Sequence, residues 1–296
     1  MPEVMVREAA DADFAAIAGI SIATGQHEEW TAANPAYIGH LMQHGRVVVA
    51  ELGGKVAGFG AVQRLGTGLD AVTMLCDLFV DPAAHGKGCG RAMLATLWAD
   101  ASRRMTFSSL HSNAMPLYTS FGLDAWWPLL YLHGQPARLS GADGWTVERA
   151  SADHVAQLEF GWTAVDRAAD YGAWGARPGG SAVIASVRGK ALAAGAVIAT
   201  GPALGIEHLA LSPAADDTAA RAAVLAVLGW LDPAESGAPE GGAAEGSAAH
   251  VCLPAPHPAV RPLLAGGWKF HEFDLFMATE PALLDPRRAV PSPGLA

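Results

Sequence analysis

The sequence predicts an α/β fold that occurs twice in tandem along a chain of 296 residues. Two observations predict it. The first is a strand, a glycine-rich loop and a helix in direct succession over residues 77–98. The second is a set of similar segments that follow each other in the same order in both halves of the chain. Because this length suffices for two ordinary domains, we expect a mixed sheet with helices in each half.

The most informative segment runs from Asp77 to Arg91. An apolar strand ends at a proline-stopped turn, and glycine then occupies positions 86, 88 and 90. Four apolar residues at one-face helical spacing predict the helix that follows: Met93, Leu94, Leu97 and Trp98. A glycine-rich loop that leads into a helix offers unpartnered backbone N–H groups to an anion, and Lys87 and Arg91 add positive charge. The loop therefore predicts a phosphate or pyrophosphate site, because a structural turn alone does not require three glycines and two cations.

The spacing of the glycines disfavours two common phosphate sites. A dinucleotide fingerprint needs its third glycine further along than Gly90, and a nucleotide P-loop needs Ser or Thr directly after Lys87. The segment His85-Gly86-Lys87-Gly88-Cys89-Gly90 instead resembles the acyl-CoA pyrophosphate loop of the GNAT (GCN5-related) N-acetyltransferases, Q/R-x-x-G-x-G/A. His85 stands where Gln or Arg is commoner. The strand before it, Asp77 to Pro82, is similar to the family's strand at that place.

A second stretch resembles a later motif of the same family, N-x-x-A-x-x-L-Y-x-x-x-G-F. Residues 113–123 read Asn-Ala-Met-Pro-Leu-Tyr-Thr-Ser-Phe-Gly-Leu. They depart from the pattern at Pro116 and in the order Phe121-Gly122. Because proline fits a first helical turn, Pro116 predicts a helix that begins near Ala114 or Met115.

The resemblance implies a reaction and a set of site residues. Acetyl-CoA, or another acyl-CoA, is the implied co-substrate. Backbone N–H groups of Leu78, Phe79 and Val80 would polarise the thioester carbonyl. The hydroxyl of Tyr118 would protonate the leaving thiolate. The implied cofactor-binding residues, besides those three strand residues, are His85, Gly86, Lys87, Gly88, Cys89, Gly90, Arg91 and Asn113.

The general base is the least determined part of this site. The family often carries Glu-Asp-Leu on the strand before the loop, whereas here Cys76 holds the first position and Asp77 the second. Asp77 is the candidate base, acting through water. The alternatives, which ordinary structural roles explain better, are His27, Glu28, Glu29 and His111.

The two halves of the chain match in the same order at four places. A strand, a Gly-Lys turn and a strand at residues 50–62 align with residues 185–197, which predicts a hairpin in each half. The other matching pairs are 6–9 with 147–150, 78–84 with 209–215, and 122–123 with 267–268. Four matches in one order predict two copies of one structural unit.

The second copy lacks the chemistry of the first. Opposite the glycine loop it reads Asp216 to Arg221, with no glycine and with two carboxylates that would repel a pyrophosphate. Opposite Tyr118 it has Leu263, and Glu207 stands opposite Cys76. We therefore expect a degenerate copy that has kept the fold and lost the cofactor site, and that serves as structural support or as part of an acceptor pocket.

Composition predicts where the copies begin and end. The first domain is predicted at residues 1–140 and the degenerate domain at 145–286, with the boundary in a Gly- and Pro-bearing run. Residues 233–247 are nearly all Gly, Ala, Pro, Glu and Ser, and they predict a disordered surface loop inside the second domain. The Pro-rich residues 287–296 predict a loose tail.

The overall composition narrows the class of protein. Hydrophobic residues make up 51% and charged residues 16%, which indicates a globular chain rather than a disordered one. No apolar stretch reaches the length of a membrane span, and the first residues carry no signal core. Three scattered cysteines argue against a disulfide framework and a metal site; Cys89 is interpreted as an inert thiol, and a cytoplasmic location is predicted. The net charge of −10 disfavours nucleic acid as a partner and is compatible with a cationic amine.

Together these features predict an N-acetyltransferase that moves an acyl group directly from acyl-CoA to a small primary amine. The rival hypothesis is a non-catalytic acyl-CoA-binding or sensing module in which Tyr118 is merely helix surface. A third is a nucleotide-binding regulatory protein, which ATP or NAD would stabilise more than acetyl-CoA does. The sequence leaves the acceptor, the acyl chain length and the oligomeric state open, a homodimer included.

Overall fold

A computed structural model describes residues 3–25, 36–136, 139, 142–199, 204–232 and 248–295. The chain divides into two compact units. The first unit consists of Met1–Phe107, Ser112–Asp124 and Met277–Glu280. The second consists of Ser108–His111, Ala125–Phe276 and Pro281–Ala296.

In its described residues, the first unit is a mixed sheet with four α-helices. Its elements in chain order are β1 (Val4–Glu8), α1 (Phe14–Ala23), α2 (Ala36–His44), β2 (Arg46–Leu52), β3 (Lys55–Leu65), β4 (Val72–Val80), α3 (Cys89–Leu97), β5 (Arg104–Ser108) and α4 (Ala114–Thr119). Strands β1 to β4 pair antiparallel in sequence order, and β5 joins β4 in parallel. Apolar residues of α1 and α2 pack with sheet residues in one core cluster: Ile17, Ile20, Ile38, Val49 and Phe59. The predicted apolar face of α3 is buried as well, and each such side chain contributes about 1.5–3 kcal/mol.

The second unit repeats this order of elements after an additional strand. It contains β6 (Asp124–Gly134), β7 (Trp145–Ala150), α5 (Ala152–Thr163), α6 (Ala168–Ala176), β8 (Gly180–Val187), β9 (Lys190–Ile198), β10 (Gly205–Leu211), α7 (Asp217–Trp230), β11 (Ala249–Pro254), α8 (Val260–Ala265) and β12 (Lys269–Ala278). Its strand order is β12-β6-β11-β10-β9-β8-β7. The core lies between this sheet and α7, which buries seven of its residues from Ala220 to Leu228.

A β-bulge occurs at the same place in both units. The register of β3 against β4 shifts so that Cys76 has no opposite residue, and the register of β9 against β10 shifts in the same way at Glu207. Directly before each bulge, the strand also pairs in parallel with a neighbouring strand. Leu75 of β4 pairs with β5, and Ile206 of β10 pairs with β11. The structure thus gives the same equivalence of Cys76 and Glu207 as the sequence comparison.

The helices near the end of each unit also match. The amide of Leu123 donates to the carbonyl of Tyr118, and the amide of Trp268 donates to the carbonyl of Leu263. The glycine before each of these amides has a left-handed backbone, with φ of +82° at Gly122 and +90° at Gly267. Tyr118 and Leu263 therefore occupy equivalent positions.

The predicted loose tail is wrong for the described residues 287–295. Val290, Ser292 and Leu295 are buried, and the amide of Leu209 donates to the carbonyl oxygen of Val290 at 3.0 Å. The proline content that suggested looseness also restricts the unfolded chain, so ordering this segment loses less conformational entropy.

Two further predictions concern chain organisation. Strand β6 precedes the predicted boundary at residue 140 but belongs to the second compact unit, so the boundary between the repeats stays a prediction. The predicted loop at 233–247 lies outside the described residues. Among the helices that the structure describes, none combines the length and the apolar character needed to cross a membrane.

Candidate active site

Strand β4 leads into the glycine loop as predicted. A 3-10 turn at Pro82–Ala84 follows the strand, and the Asp81 carboxylate accepts from the Ala83 amide at 2.8 Å. Gly86 and Gly88 then adopt left-handed backbones with φ of +73° and +90°, which glycine tolerates without strain. A Cβ atom built at either glycine would meet no heavy atom of the described residues within 4 Å. The loop is therefore open on the side to which these positions point.

The first turn of α3 opens onto this loop. Gly88 precedes the helix and has no side chain with which to cap it, so the amides of residues 89–91 have no intrahelical acceptor. The Lys87 ammonium donates to the Ala83 carbonyl at 2.7 Å. The Arg91 guanidinium donates to the Ser120 hydroxyl at 3.0 Å and lies over the Phe121 ring. First-turn amides and two cations are thus held at one end of α3, an arrangement suited to a pyrophosphate.

The third glycine of the motif has a different role. Gly90 lies inside α3, and a Cβ atom there would come within 3.3 Å of Leu117 on α4. It would also lie within 4 Å of Leu78 and Val80 on β4. Gly90 therefore permits β4, α3 and α4 to approach each other at the head of the loop.

Beyond the bulge, one edge of β4 separates from β5. In the described part of the chain, the parallel pairing of the two strands extends over Thr73–Leu75 only, whereas β4 continues to Val80. The Asp81 amide donates to the Ala57 carbonyl oxygen on β3. Along an antiparallel ladder, successive amides point alternately toward and away from the paired strand. The amides of Leu78 and Val80 therefore point away from β3, toward the open edge.

This alternation corrects one prediction. The amide of Phe79 points toward β3, where it belongs to a hydrogen-bonded pair with Phe59, so it does not face the open edge. At the end of the strand, His85 Nε2 lies 2.9 Å from the Val80 carbonyl oxygen. His85 thus fixes the turn rather than extending into the loop.

Asp77 is a buried carboxyl on β4, next to the bulge. It is 6% exposed, and its burial raises its pKa to about 7, against a smaller lowering by the hydrogen bond from the Tyr37 hydroxyl. Its Oδ2 atom has no hydrogen-bond partner among the described residues. A carboxyl with a pKa near neutrality and a free oxygen has the properties of a general base.

Tyr37 is the functional candidate that sequence reasoning missed. It lies on α2, and no local motif connects it with Asp77. Comparison of the two copies could have indicated it. In the second copy, Tyr171 on α6 also donates to a carboxylate, Glu159 Oε2, at 2.6 Å. A tyrosine in the second helix of each copy marks the position.

Tyr118 lies on α4, and Asn113 lies directly before this helix. Asn113 precedes the first turn, and Tyr118 is 7% exposed with its ring edge-on to Trp98, at 6.3 Å between centroids. Leu117, the neighbour of Tyr118, is the residue that touches the head of the glycine loop. The structure thus brings α4 to the loop, as the two motifs together predict.

His27, Glu28 and Glu29 lie outside the described residues, and His111 belongs to the second unit. Cys89 is buried, and this burial raises the pKa of its thiol, which opposes thiolate formation. The interpretation of Cys89 as a non-nucleophile agrees with this environment.

Comparisons with known proteins bear on both units. Residues 43–122 match the family described as acetyltransferase (GNAT) domain. Over 113 residues the chain is 31% identical to N-alpha-acetyltransferase RimI of Mycobacterium tuberculosis (strain ATCC 25618 / H37Rv). The aligned region covers 37% of this chain and 69% of the relative.

Two solved structures extend the likeness over nearly the whole chain. A putative acetyltransferase from Pyrococcus horikoshii has a TM-score of 0.67 at 15% identity, covering 99% of this chain and 94% of that one. A tandem GNAT protein from the clavulanic acid biosynthesis pathway has a TM-score of 0.57 at 14% identity, covering 96% and 100%. The predicted tandem α/β fold is thereby confirmed.

Proposed function

Because this chain belongs to the GNAT family of N-acetyltransferases, we propose that its first unit transfers an acetyl group from acetyl-CoA to a small primary amine. The observation that carries the proposal is the open edge of β4, which runs from the buried Asp77 to the glycine loop. One end of this edge offers anion-binding amides and the other a carboxyl with a pKa near neutrality. A pyrophosphate and a reactive thioester need these two environments.

Binding begins at the glycine loop. The pyrophosphate would accept hydrogen bonds from amides of the first turn of α3, with the Lys87 and Arg91 side chains beside it. The thioester arm would then follow the open edge of β4, where the amides of Leu78 and Val80 point outward. One of these N–H groups would donate to the thioester carbonyl, which stabilises the negative charge that develops there.

The chemical step is a single acyl transfer. The neutral amine nitrogen attacks the carbonyl carbon, a C–N bond forms, and the C–S bond breaks as the tetrahedral intermediate collapses. Asp77 takes the proton that the amine loses, through a water molecule, and Tyr118 gives its proton to the departing thiolate. Proton exchange with solvent restores both side chains, so charge and protons balance over one turnover.

Direct measurement of the two substrates tests this function. We expect acetyl-CoA to raise the melting temperature more than ATP or NAD does, and CoA thiol to appear only when an amine is present. A panel of polyamines, amino sugars and amino acids identifies the acceptor class. If acetyl-CoA binds and no amine yields CoA thiol, the first unit is a binding module rather than an acetyltransferase toward small amines.

A second acceptor class has one observation in its favour. The relative with 31% identity is named an N-alpha-acetyltransferase, which acts on the α-amino group of a polypeptide. An α-amino group has a pKa of about 7.7–8.0, so it is partly neutral at physiological pH and needs less help from a base. Short peptides with free and with blocked N-termini, added to the same panel, decide between the two acceptor classes.

A further inference from the structure

We propose that the C-terminal segment, residues 287–295, is an internal ligand that occupies, in the second unit, the cleft corresponding to the cofactor cleft of the first. In this reading the second unit is a binding site for an extended peptide with two consecutive arginines followed by apolar residues. The inference rests on the repeat and on the contacts of the segment, and it holds whether or not Asp77 and Tyr118 have the roles proposed above.

The middle of the segment lies on the equivalent open strand edge. Counting from the bulges at Cys76 and Glu207, Leu209 on β10 corresponds to Leu78 on β4. The amide of Leu209 points away from β9 and donates to the Val290 carbonyl oxygen at 3.0 Å, in an isolated antiparallel bridge. The Val290 carbonyl thus accepts from the Leu209 amide. The corresponding amide in the first unit is that of Leu78, beside which the thioester arm would lie.

The two arginines lie where the pyrophosphate loop has its counterpart. Arg287 forms an ion pair with Asp217, in the first turn of α7. Arg288 donates to the carbonyl oxygens of Ser212 and Pro213 at 3.0 Å, and to that of Ala215. Cations therefore occupy the place that corresponds to the anion-binding loop of the first unit.

The loop before α7 differs from the glycine loop in both length and charge. One residue, Asp216, separates Ala215 from the first residue of α7, whereas residues 85–88 separate Ala84 from α3. Asp216 caps α7 by accepting from the Ala219 amide at 2.8 Å, so its side chain takes the helix terminus that a phosphate would use. A shortened loop with two carboxylates favours a cationic segment and repels an anionic cofactor.

The end of the segment joins a buried polar cluster. Arg167 donates to the Leu295 carbonyl oxygen at 2.5 Å and also to Glu159 and Asp170, at 3.1 Å each. All three cluster side chains are at most 5% exposed. Because a buried guanidinium must keep its acceptors, the Leu295 carbonyl is part of what makes this cluster stable.

Deletion and return of the segment test the proposal. We expect a chain truncated after Pro286 to melt at a lower temperature, and the exchange rate of the Leu209 amide with solvent deuterium to rise by about tenfold or more. A synthetic peptide of residues 286–296, added in trans, should bind and restore both values. The matched control is the same peptide with both arginines replaced by glutamate, which should bind at least about tenfold more weakly because of Asp216 and Asp217.

Two outcomes would overturn the proposal. One is a truncated chain with unchanged stability and unchanged protection at Leu209. The other is a wild-type peptide that binds no better than its glutamate version. If the truncated chain does not fold, the full-length double variant Arg287→Ala/Arg288→Ala replaces it, with faster exchange at Leu209 as the expected result and unchanged exchange as the contrary one.

Discussion

At the scale of single residues, Asp77 is a buried carboxyl whose environment differs strongly from water. Its burial opposes ionisation, and the Tyr37 hydroxyl favours it, with a net pKa of about 7. A carboxyl in this range can change its protonation during each turnover at neutral pH. We therefore expect both activity and stability to depend on pH through Asp77.

Asp77→Asn should remove the base and keep the shape of the side chain. We expect kcat/KM to fall by about 10²–10⁴-fold. The wild-type kcat/KM should rise with pH through about 7, because the carboxylate is the active form, and the variant should lose this rise. A pH profile measured under subsaturating amine checks both statements, and Tyr37→Phe, which removes the stabilising hydrogen bond, should move the rise to higher pH.

The stability of the same variant should depend on pH in a stated direction. Because the folded-state pKa of Asp77 is raised from 3.8 to about 7, its contribution to stability is complete below about 3.8 and is lost as the pH rises through about 7. Asp77→Asn should therefore gain melting temperature relative to wild type as the pH rises from about 4 to about 7, and the difference should stay constant above that. Asp13→Asn is the control of opposite sign, since the Arg7 hydrogen bonds hold the pKa of Asp13 below its usual value and losing them should destabilise the fold at neutral pH.

Tyr118→Phe should keep the ring packing against Trp98 and the affinity for acetyl-CoA while lowering kcat. The expected fall lies near the lower end of about 10²–10⁴-fold, because a thiolate is already a modest leaving group. Pre-steady-state measurement of acetyl transfer reports this step directly. An unchanged rate of transfer in that experiment would remove Tyr118 from the mechanism.

At the scale of elements, the glycine loop is the part whose ligand contacts depend on backbone shape. Gly88→Leu should abolish acetyl-CoA binding, because the new side chain projects into the open space above the loop. Gly54→Leu is a matched control in the β2–β3 turn, with φ of +77° and the same open surroundings. Both variants carry similar backbone strain of about 1–2 kcal/mol, so calorimetric titration should separate loss of binding from loss of stability. Equal binding by the two variants would refute the loop assignment.

The sequence predicts those features that neighbouring residues determine, and it does not predict contacts between residues that are far apart in the chain. The loop at Gly86 and Gly88 and the helix containing Tyr118 follow from local rules, since left-handed positions need glycine and a first turn accepts Pro116. The partnership of Asp77 with Tyr37 does not, because it joins a strand to a helix that no periodic pattern relates to it. The order of residues 287–295 does not follow from local rules either, because it comes from contacts with Leu209, Asp217 and Arg167, all far away in sequence.

At the scale of the whole molecule, the two copies of the fold present different groups at equivalent places. The first presents an open edge beside an anion-binding loop, whereas the second presents carboxylates and its own C-terminal segment. The order of elements could be predicted from the repeat, and so could the loss of the loop glycines in the second copy. What fills the second cleft could not be predicted, because no sequence rule states which surface a terminal segment will cover.

We expect calorimetric titration of the full chain to give one acetyl-CoA per chain. Asp217→Ala should leave that stoichiometry and the affinity unchanged, because the second copy has no glycine loop at this place. Gly88→Leu should reduce the stoichiometry to zero. Two bound acetyl-CoA molecules per wild-type chain would show that the second copy has kept a site.

The binding site proposed along β4 also has a consequence for the lifetime of the protein. A ligand that binds only the folded form stabilises it by about 2.7 kcal/mol at a concentration one hundred times its Kd. We therefore expect the first unit to resist a protease longer when carbon is plentiful and acetyl-CoA abundant, whereas the second unit, which carries its occupant on the same polypeptide, degrades at the same rate in fed and starved conditions. The amount of active enzyme would then follow the supply of its own substrate, with no separate sensor.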